Sequence, residues 1–84
     1  MIRLELMTKK DCCLCDDAKA VLDQVLPDFQ ARLELTDIET DPELFERYKE
    51  RIPVLCINGR ESFVYKVHPV TLRRKLEAAE KNQG

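Results

Sequence analysis

The sequence predicts a single α/β domain over residues 1–84, with the element order β-α-β-α-β-β-α and a mixed four-stranded sheet flanked by helices. Three observations support this class. Apolar and charged residues alternate in short segments, as in half-buried strands, and recur at helical spacing in others. A helical segment separates the first two strands, which favours a parallel pair, and an Asn-Gly turn joins the last two, which favours an antiparallel hairpin.

The first half of the chain is predicted to contain two strands and one helix. Residues 2–6 alternate apolar and charged side chains and predict the first strand, and residues 31–36 alternate again and predict the second. Between them a helix begins at the cysteines of residues 12–15 and is closed by Pro27. The apolar face predicted for this helix contains Leu14, Ala18, Val21, Leu22, Val25 and Leu26.

The second half is predicted to contain a helix, a hairpin and a last helix. Asp41 is a typical N-cap and Pro42 a typical first helical residue, so a short helix follows them. Asn58-Gly59 is the favoured sequence of a type I′ hairpin turn, and Pro69 opens the last helix. The predicted elements are a helix that ends near residue 49, strands at residues 54–57 and 61–67, and a helix at residues 69–81.

The composition argues against several classes of partner. The net charge is −2 and 36% of the residues are charged, with both signs present, so the chain has no strong field to attract nucleic acid or anionic lipid. The alternating residues at the amino terminus resemble neither a signal peptide nor a membrane span. We therefore expect a cytoplasmic monomer that binds neither nucleic acid nor membranes.

The cysteines are the most informative residues for function. Three of the four cysteines fall at residues 12, 13 and 15, at the junction of the first strand and the first helix. Residues three apart share a helical face with Cβ atoms about 5–6 Å apart, so Cys12 and Cys15 can form a disulfide, whereas the other two pairings are strained. This spacing predicts a redox-active dithiol. Cys56 lies in a predicted central strand, where a free cysteine most often packs as a small hydrophobic residue.

The chain resembles the thioredoxin superfamily, and most closely its small glutaredoxin-like members. The resemblance spans nearly all residues and rests on Cys12-x-x-Cys15, on residues 37–39 at the end of the second strand and on residues 51–54 at the start of the third. With Leu14 between the cysteines, the chain further resembles a group of these proteins with the sequence Cys-x-Leu-Cys. The resemblance implies a thioredoxin-like fold in which Pro53 follows a cis peptide bond and lies against the dithiol.

The resemblance and the position of the dithiol together imply a thiol–disulfide oxidoreductase. A helix amino terminus stabilises a thiolate, so Cys12 is predicted to be the nucleophile that attacks a protein disulfide or a glutathione mixed disulfide. Cys15 then resolves the mixed disulfide, and the Ile52 backbone pairs with the substrate as an added strand. No bound cofactor is expected, with glutathione or a protein dithiol as redox partner. The predicted substrate-binding residues are Lys9, Lys10, Leu14, Ile52 and Pro53.

Two other classes of function stay open at this point. Glutaredoxins usually contain Cys-Pro-Tyr-Cys and a Gly-Gly pair after the last strand, whereas residues 66–69 here contain no glycine. The chain could therefore be an interaction module whose cysteines are idle, because a fold does not determine a function. Three clustered thiols could also bind a metal ion or an iron–sulfur cluster, with a fourth ligand from elsewhere.

The aromatic residues predicted to complete the core are Phe45, Tyr48, Phe63 and Tyr65.

Overall fold

The computed structural model describes residues 1–82, with the exception of the side chain of residue 82. The strands are β1 Ile2–Thr8, β2 Ala31–Asp37, β3 Val54–Ile57 and β4 Arg60–Val64. The helices are α1 Cys13–Val25, α2 Pro42–Tyr48 and α3 Pro69–Asn82, with short 3-10 turns at Leu26–Asp28 and Ile38–Thr40. Among the residues described, no helix combines the length and the hydropathy that crossing a bilayer requires.

The four strands form one mixed sheet in the order β2-β1-β3-β4. β1 pairs in parallel with β2, from Ile2 opposite Ala31 to Thr8 opposite Asp37, because α1 crosses over between them. On its other side β1 pairs antiparallel with β3, and β3 pairs antiparallel with β4. The mixed four-stranded sheet and its flanking helices confirm the predicted fold class.

One face of the sheet is buried against α1 and α3. β1 contributes every second residue to this core, as expected for a strand whose side chains alternate between two faces. The deepest helical residue of α1 is Leu22, which has no exposed surface, and Leu72 and Leu76 of α3 are equally buried. The buried members of this cluster are Ile2, Leu4, Leu6, Ala18, Leu22, Val25, Leu55, Ile57, Phe63, Val67, Leu72 and Leu76.

The opposite face of the sheet is only partly covered, because α2 is a helix of seven residues. A second and smaller core under α2 contains Met7, Cys15, Ile38, Tyr48, Ile52, Val54 and Cys56. The uncovered part of this face is charged and borders an open groove of about 460 Å³. In the β1–β2 register Arg3 lies beside Arg32 and Glu5 beside Glu34.

The outer strands of the sheet are β2 and β4. Both carry exposed charged side chains within their hydrogen-bonding segments. These are Arg32 and Glu34 in β2 and Arg60 and Glu61 in β4. The hairpin between β3 and β4 has the predicted turn, since Asn58 and Gly59 both have positive φ angles, of 50° and 83°.

The predicted strand at residues 61–67 is wrong at its carboxyl end. β4 ends at Val64, because Tyr65 has a φ angle of 70° and leaves the strand in a tight turn. The prediction that Tyr65 belongs to the core is also wrong, since 51% of this residue is exposed. The sequence predicts Leu14 on the apolar face of α1, but it is 50% exposed. The buried stripe of α1 runs through Cys15, Ala18, Leu22 and Val25, and Leu14 lies beside it.

Replacement of Leu22 by Ala tests the orientation of α1. Leu22 is fully buried between the sheet and α3, so we expect the free energy of unfolding to fall by about 2–5 kcal/mol. Chemical denaturation followed by far-UV circular dichroism measures this change. The matched control is Gln24→Ala, an exposed position of the same helix, where we expect an effect within about 0.5 kcal/mol. Equal effects at the two positions would show that α1 packs through another face.

Candidate active site

The amino terminus of α1 is capped by the sulfur of Cys12. Cys12 is the N-cap residue, with φ −105° and ψ 106°, and its Sγ accepts a hydrogen bond of 3.2 Å from the backbone N–H of Cys15. An N-cap usually supplies a side-chain oxygen to one of the N–H groups left unpaired in the first helical turn. Here a sulfur has that place, so the Cys12 side chain is directed at the positive end of the α1 dipole.

A left-handed residue brings the chain from β1 into this cap. Asp11, which precedes Cys12, has a φ angle of 56°. Asp and Asn adopt this region more readily than other residues with a Cβ atom, because their short polar side chains can bond locally. The turn at Asp11 therefore allows α1 to begin two residues later, at Cys13.

Cys12 and Cys15 form a disulfide, with their Cα atoms 5.2 Å apart. This separation lies within the range that disulfides require. The two residues differ in accessibility, since Cys12 is half-buried at the surface and Cys15 is only 5% exposed. An incoming sulfur can therefore approach Cys12 more easily than Cys15.

The segment that leads into β3 lies against the disulfide. Ile52 and Cys15 belong to the same buried cluster, and Cys12 packs against that cluster. The Ile52–Pro53 peptide bond is cis, and the Pro53 carbonyl accepts a hydrogen bond of 2.8 Å from the backbone N–H of Tyr65. The structure thus brings four of the sequence-predicted site residues together where β1 ends and β3 begins.

The Ile52 backbone is available for pairing. The β1–β3 ladder ends where Met7 lies opposite Val54. If it continued for two more residues, Lys9 would lie opposite Ile52, but the ladder does not extend that far. Among residues 1–82 neither the N–H nor the carbonyl of Ile52 makes a hydrogen bond. A strand-like peptide could therefore bond to Ile52 beside the disulfide.

The remaining predicted site residues lie at the rim of the site. Lys9 and Lys10 are exposed, and their side chains make no ion pair with any described residue. Leu14 borders a cavity of about 180 Å³ between α1 and the loop that follows β4. The residues that line this cavity are Leu14, Asp17, Ala18, Val21, Tyr65, Lys66 and Val67.

Tyr65 lies next to the site, in a position that the sequence did not predict. It was assigned to a buried strand position, but it lies beside Pro53 and lines the same cavity as Leu14. Left-handed turns are usually signalled by glycine or asparagine, and residues 64–67 contain neither. No local pattern therefore indicated a turn at this position.

The two other cysteines lie in contrasting environments. Cys13 is a free and exposed thiol at the first position of α1, whereas Cys56 is free and 8% exposed. Burial raises the pKa of the Cys56 thiol, and the nearby Glu5 and Glu61 carboxylates raise it further, so this residue is a poor nucleophile. Within the described part of the chain, no three His, Cys, Asp or Glu side chains are arranged to hold a metal ion.

Solved structures of other proteins share this fold. The protein XcR50 from X. campestris is 33% identical, with a TM-score of 0.76 over 89% of this chain and 96% of its own. Mitochondrial thioredoxin 3 from Saccharomyces cerevisiae is 12% identical, with a TM-score of 0.68 over 92% of this chain and 77% of its own. The glutaredoxin-like protein NrdH-redoxin from Escherichia coli is 18% identical, with a TM-score of 0.63 over 86% and 92%.

The sequence itself also matches a family model. The model describes the glutaredoxin-like domain (DUF836), and the match covers residues 3–77, from β1 into the last turns of α3. This range contains both cysteines of the disulfide, the cis-proline segment and all four strands except the first residue of β1. The chain has a thioredoxin-like fold and, by its match to the family model, belongs to the glutaredoxin-like domain family.

Proposed function

We propose that this protein is a thiol–disulfide oxidoreductase that uses Cys12 and Cys15 to reduce protein disulfides or glutathione mixed disulfides. The observation that carries the proposal is the disulfide at the amino terminus of α1, in which the half-buried Cys12 is accessible and Cys15 is shielded. This arrangement separates the two roles that exchange requires, because one sulfur meets the substrate and the other acts afterwards.

Cys12 acts as the nucleophile in its thiolate form. The N–H of Cys15 and the positive end of the α1 dipole stabilise the negative charge on the Cys12 sulfur. Lys9 and Lys10 add positive charge nearby, while acidic residues on either side oppose it. These acidic residues are Asp11, Asp16 and Asp17. The balance of charges favours a moderately stabilised Cys12 thiolate and a reducing couple.

Exchange proceeds through two displacements at sulfur. The Cys12 thiolate attacks one sulfur of the substrate disulfide, forms a mixed disulfide and releases the other substrate sulfur as a thiolate, which takes up a proton. Cys15 loses its proton and attacks the Cys12 sulfur, which releases the second substrate thiol and forms the Cys12–Cys15 disulfide. The substrate gains two electrons and two protons. The enzyme loses two electrons and the Cys15 proton, and the other proton comes from the solvent, which received it when Cys12 ionised.

Substrates bind through the segment beside the disulfide. We propose that the Ile52 backbone pairs with an extended substrate chain next to Pro53, that Leu14 contacts an apolar substrate side chain, and that Lys9 or Lys10 binds a carboxylate. The structure of NrdH-redoxin is described as the basis of a thioredoxin-like activity profile in a glutaredoxin-like protein. That description supports protein disulfides as one substrate class for this chain as well.

The proposed direction of exchange needs a supply of thiols. Glutathione or a protein dithiol would return the oxidised Cys12–Cys15 pair to its reduced form, and a cytoplasmic location would provide both. The two sulfurs carry both electrons themselves, so the proposed reaction proceeds without a bound cofactor.

A redox titration tests whether the cysteine pair is a working couple. The protein is equilibrated in graded thiol–disulfide buffers and alkylated, and the bridged cysteines are mapped by peptide mass spectrometry. We expect a two-electron Cys12–Cys15 couple at about −180 to −300 mV. Cys13→Ser should keep this potential, and Cys56 should remain unlabelled until the protein is denatured, because it is buried. Bridging through Cys13, or no reversible couple, would favour an interaction module.

Trapping of the intermediate tests the two roles. Cys15→Ser should accumulate a mixed disulfide on Cys12 when a protein disulfide is added, because only the resolving sulfur is lost. Cys12→Ser should trap nothing, and circular dichroism should show that both variants are folded. Intact mass spectrometry and peptide mapping identify the bonded cysteine. Adducts on Cys13 in the Cys15→Ser variant would contradict the assignment of Cys12 as nucleophile.

A further inference from the structure

Tyr65 has a backbone conformation that a bulky residue seldom adopts. Its φ angle is 70°, and the N–H of Lys66 donates a hydrogen bond of 2.9 Å to the Val64 carbonyl. A bond between residues two apart, with a positive φ angle between them, defines a γ-turn of the rare and strained kind. For a side chain larger than glycine this region is unfavourable, so it persists only where surrounding contacts enforce it.

Two hydrogen bonds from Tyr65 enforce this conformation, and both reach the same loop. The backbone N–H of Tyr65 donates to the Pro53 carbonyl, and the phenolic hydroxyl donates to the Glu50 carbonyl. Tyr65 therefore bonds to both ends of the loop at residues 50–53. Burial of the Tyr65 side chain does not enforce the conformation, because 51% of the residue is exposed.

The same loop presents the unpaired Ile52 backbone to the disulfide. Its other contacts hold the Arg51 end, where the N–H donates to the Tyr48 carbonyl and the guanidinium pairs with Glu61 at 2.9 Å. These contacts leave Ile52 without a hydrogen bond among the residues that the structure describes. Tyr65 is the residue that bridges the loop from Glu50 to Pro53.

We propose that Tyr65 is a positioning residue that fixes the loop at residues 50–53 so that the Ile52 backbone can pair with an extended substrate next to Cys12. This inference rests on the proposed function and adds a determinant of substrate class. A protein substrate has a backbone that can use Ile52, whereas a small aromatic disulfide has none. When the loop loses its hydrogen bonds to Tyr65, the fraction of molecules in which Ile52 is positioned to pair with substrate falls. The apparent affinity for protein substrates falls with that fraction.

The test compares two substrates and two variants. Tyr65→Phe removes only the hydroxyl bond to Glu50. Tyr65→Gly removes the ring and relieves the backbone strain, but keeps the N–H that bonds to Pro53. The substrates are insulin, as a protein disulfide, and 5,5′-dithiobis(2-nitrobenzoate), as a small disulfide. Steady-state kinetics gives KM and kcat for each pair.

We expect a change in KM for insulin alone. Loss of one neutral hydrogen bond corresponds to a rise in KM of about 3- to 10-fold for Tyr65→Phe, and the rise should be larger for Tyr65→Gly. The kcat for insulin, both constants for the small disulfide and the potential of the Cys12–Cys15 couple should not change. A purely structural defect would instead lower the rates with both substrates.

Ser62→Ala is the matched control, because it also removes a bond from a side-chain hydroxyl to a backbone carbonyl, that of Arg60, which does not belong to the loop. It should leave KM for insulin unchanged. Wild-type KM values for insulin in both Tyr65 variants, or equal losses with the two substrates, would overturn the positioning role while leaving the oxidoreductase intact. Wild-type protein that reduces neither substrate would overturn the proposed function itself.

Discussion

The pairing of β1 on both of its edges determines where every part of the site lies. Its parallel ladder with β2 runs over seven residues and requires the α1 crossover, and its antiparallel ladder with β3 ends where Met7 meets Val54. The start of α1 and the segment before β3 are therefore held at the same end of one strand. A shift of one residue in β1 would move its leucines to the opposite face of the sheet, so the buried core keeps this register fixed.

The Cys12 sulfur has a structural role as the cap of α1 and a proposed chemical role as the nucleophile. As the cap of α1 it accepts the Cys15 N–H, which would otherwise be unpaired at the helix end. The acceptor that the helix needs is also the atom on which negative charge would develop in exchange. A thiolate is a stronger acceptor than a neutral sulfur, so the cap should be strengthened when the pair is reduced. In the proposed reaction, the stability of the first helical turn would therefore change with the redox state.

The sequence predicted the parts of the structure that local patterns control. The order of the elements follows from periodicity and turn residues, and the cysteine pair follows from its spacing, so both were predicted correctly. Tyr65 was misassigned because its conformation depends on carbonyl groups 15 and 12 positions earlier, at Glu50 and Pro53, which no local pattern records. Leu14 was misassigned because the apolar residues of α1 fit a face wider than the stripe that is buried, and in the first turn the buried residue is Cys15.

The charged outer strands influence how such a small sheet behaves among unfolded chains. An edge strand presents unpaired backbone groups that can recruit another strand, and side chains of alternating charge discourage this recruitment. Here Arg32 and Glu34 occupy one edge and Arg60 and Glu61 the other. A protein with the proposed activity on protein disulfides would meet strand-forming chains continually. With charged side chains along both outer strands, the sheet should resist co-assembly into larger aggregates with those chains. Backbone pairing would then be confined to the short segment proposed at Ile52.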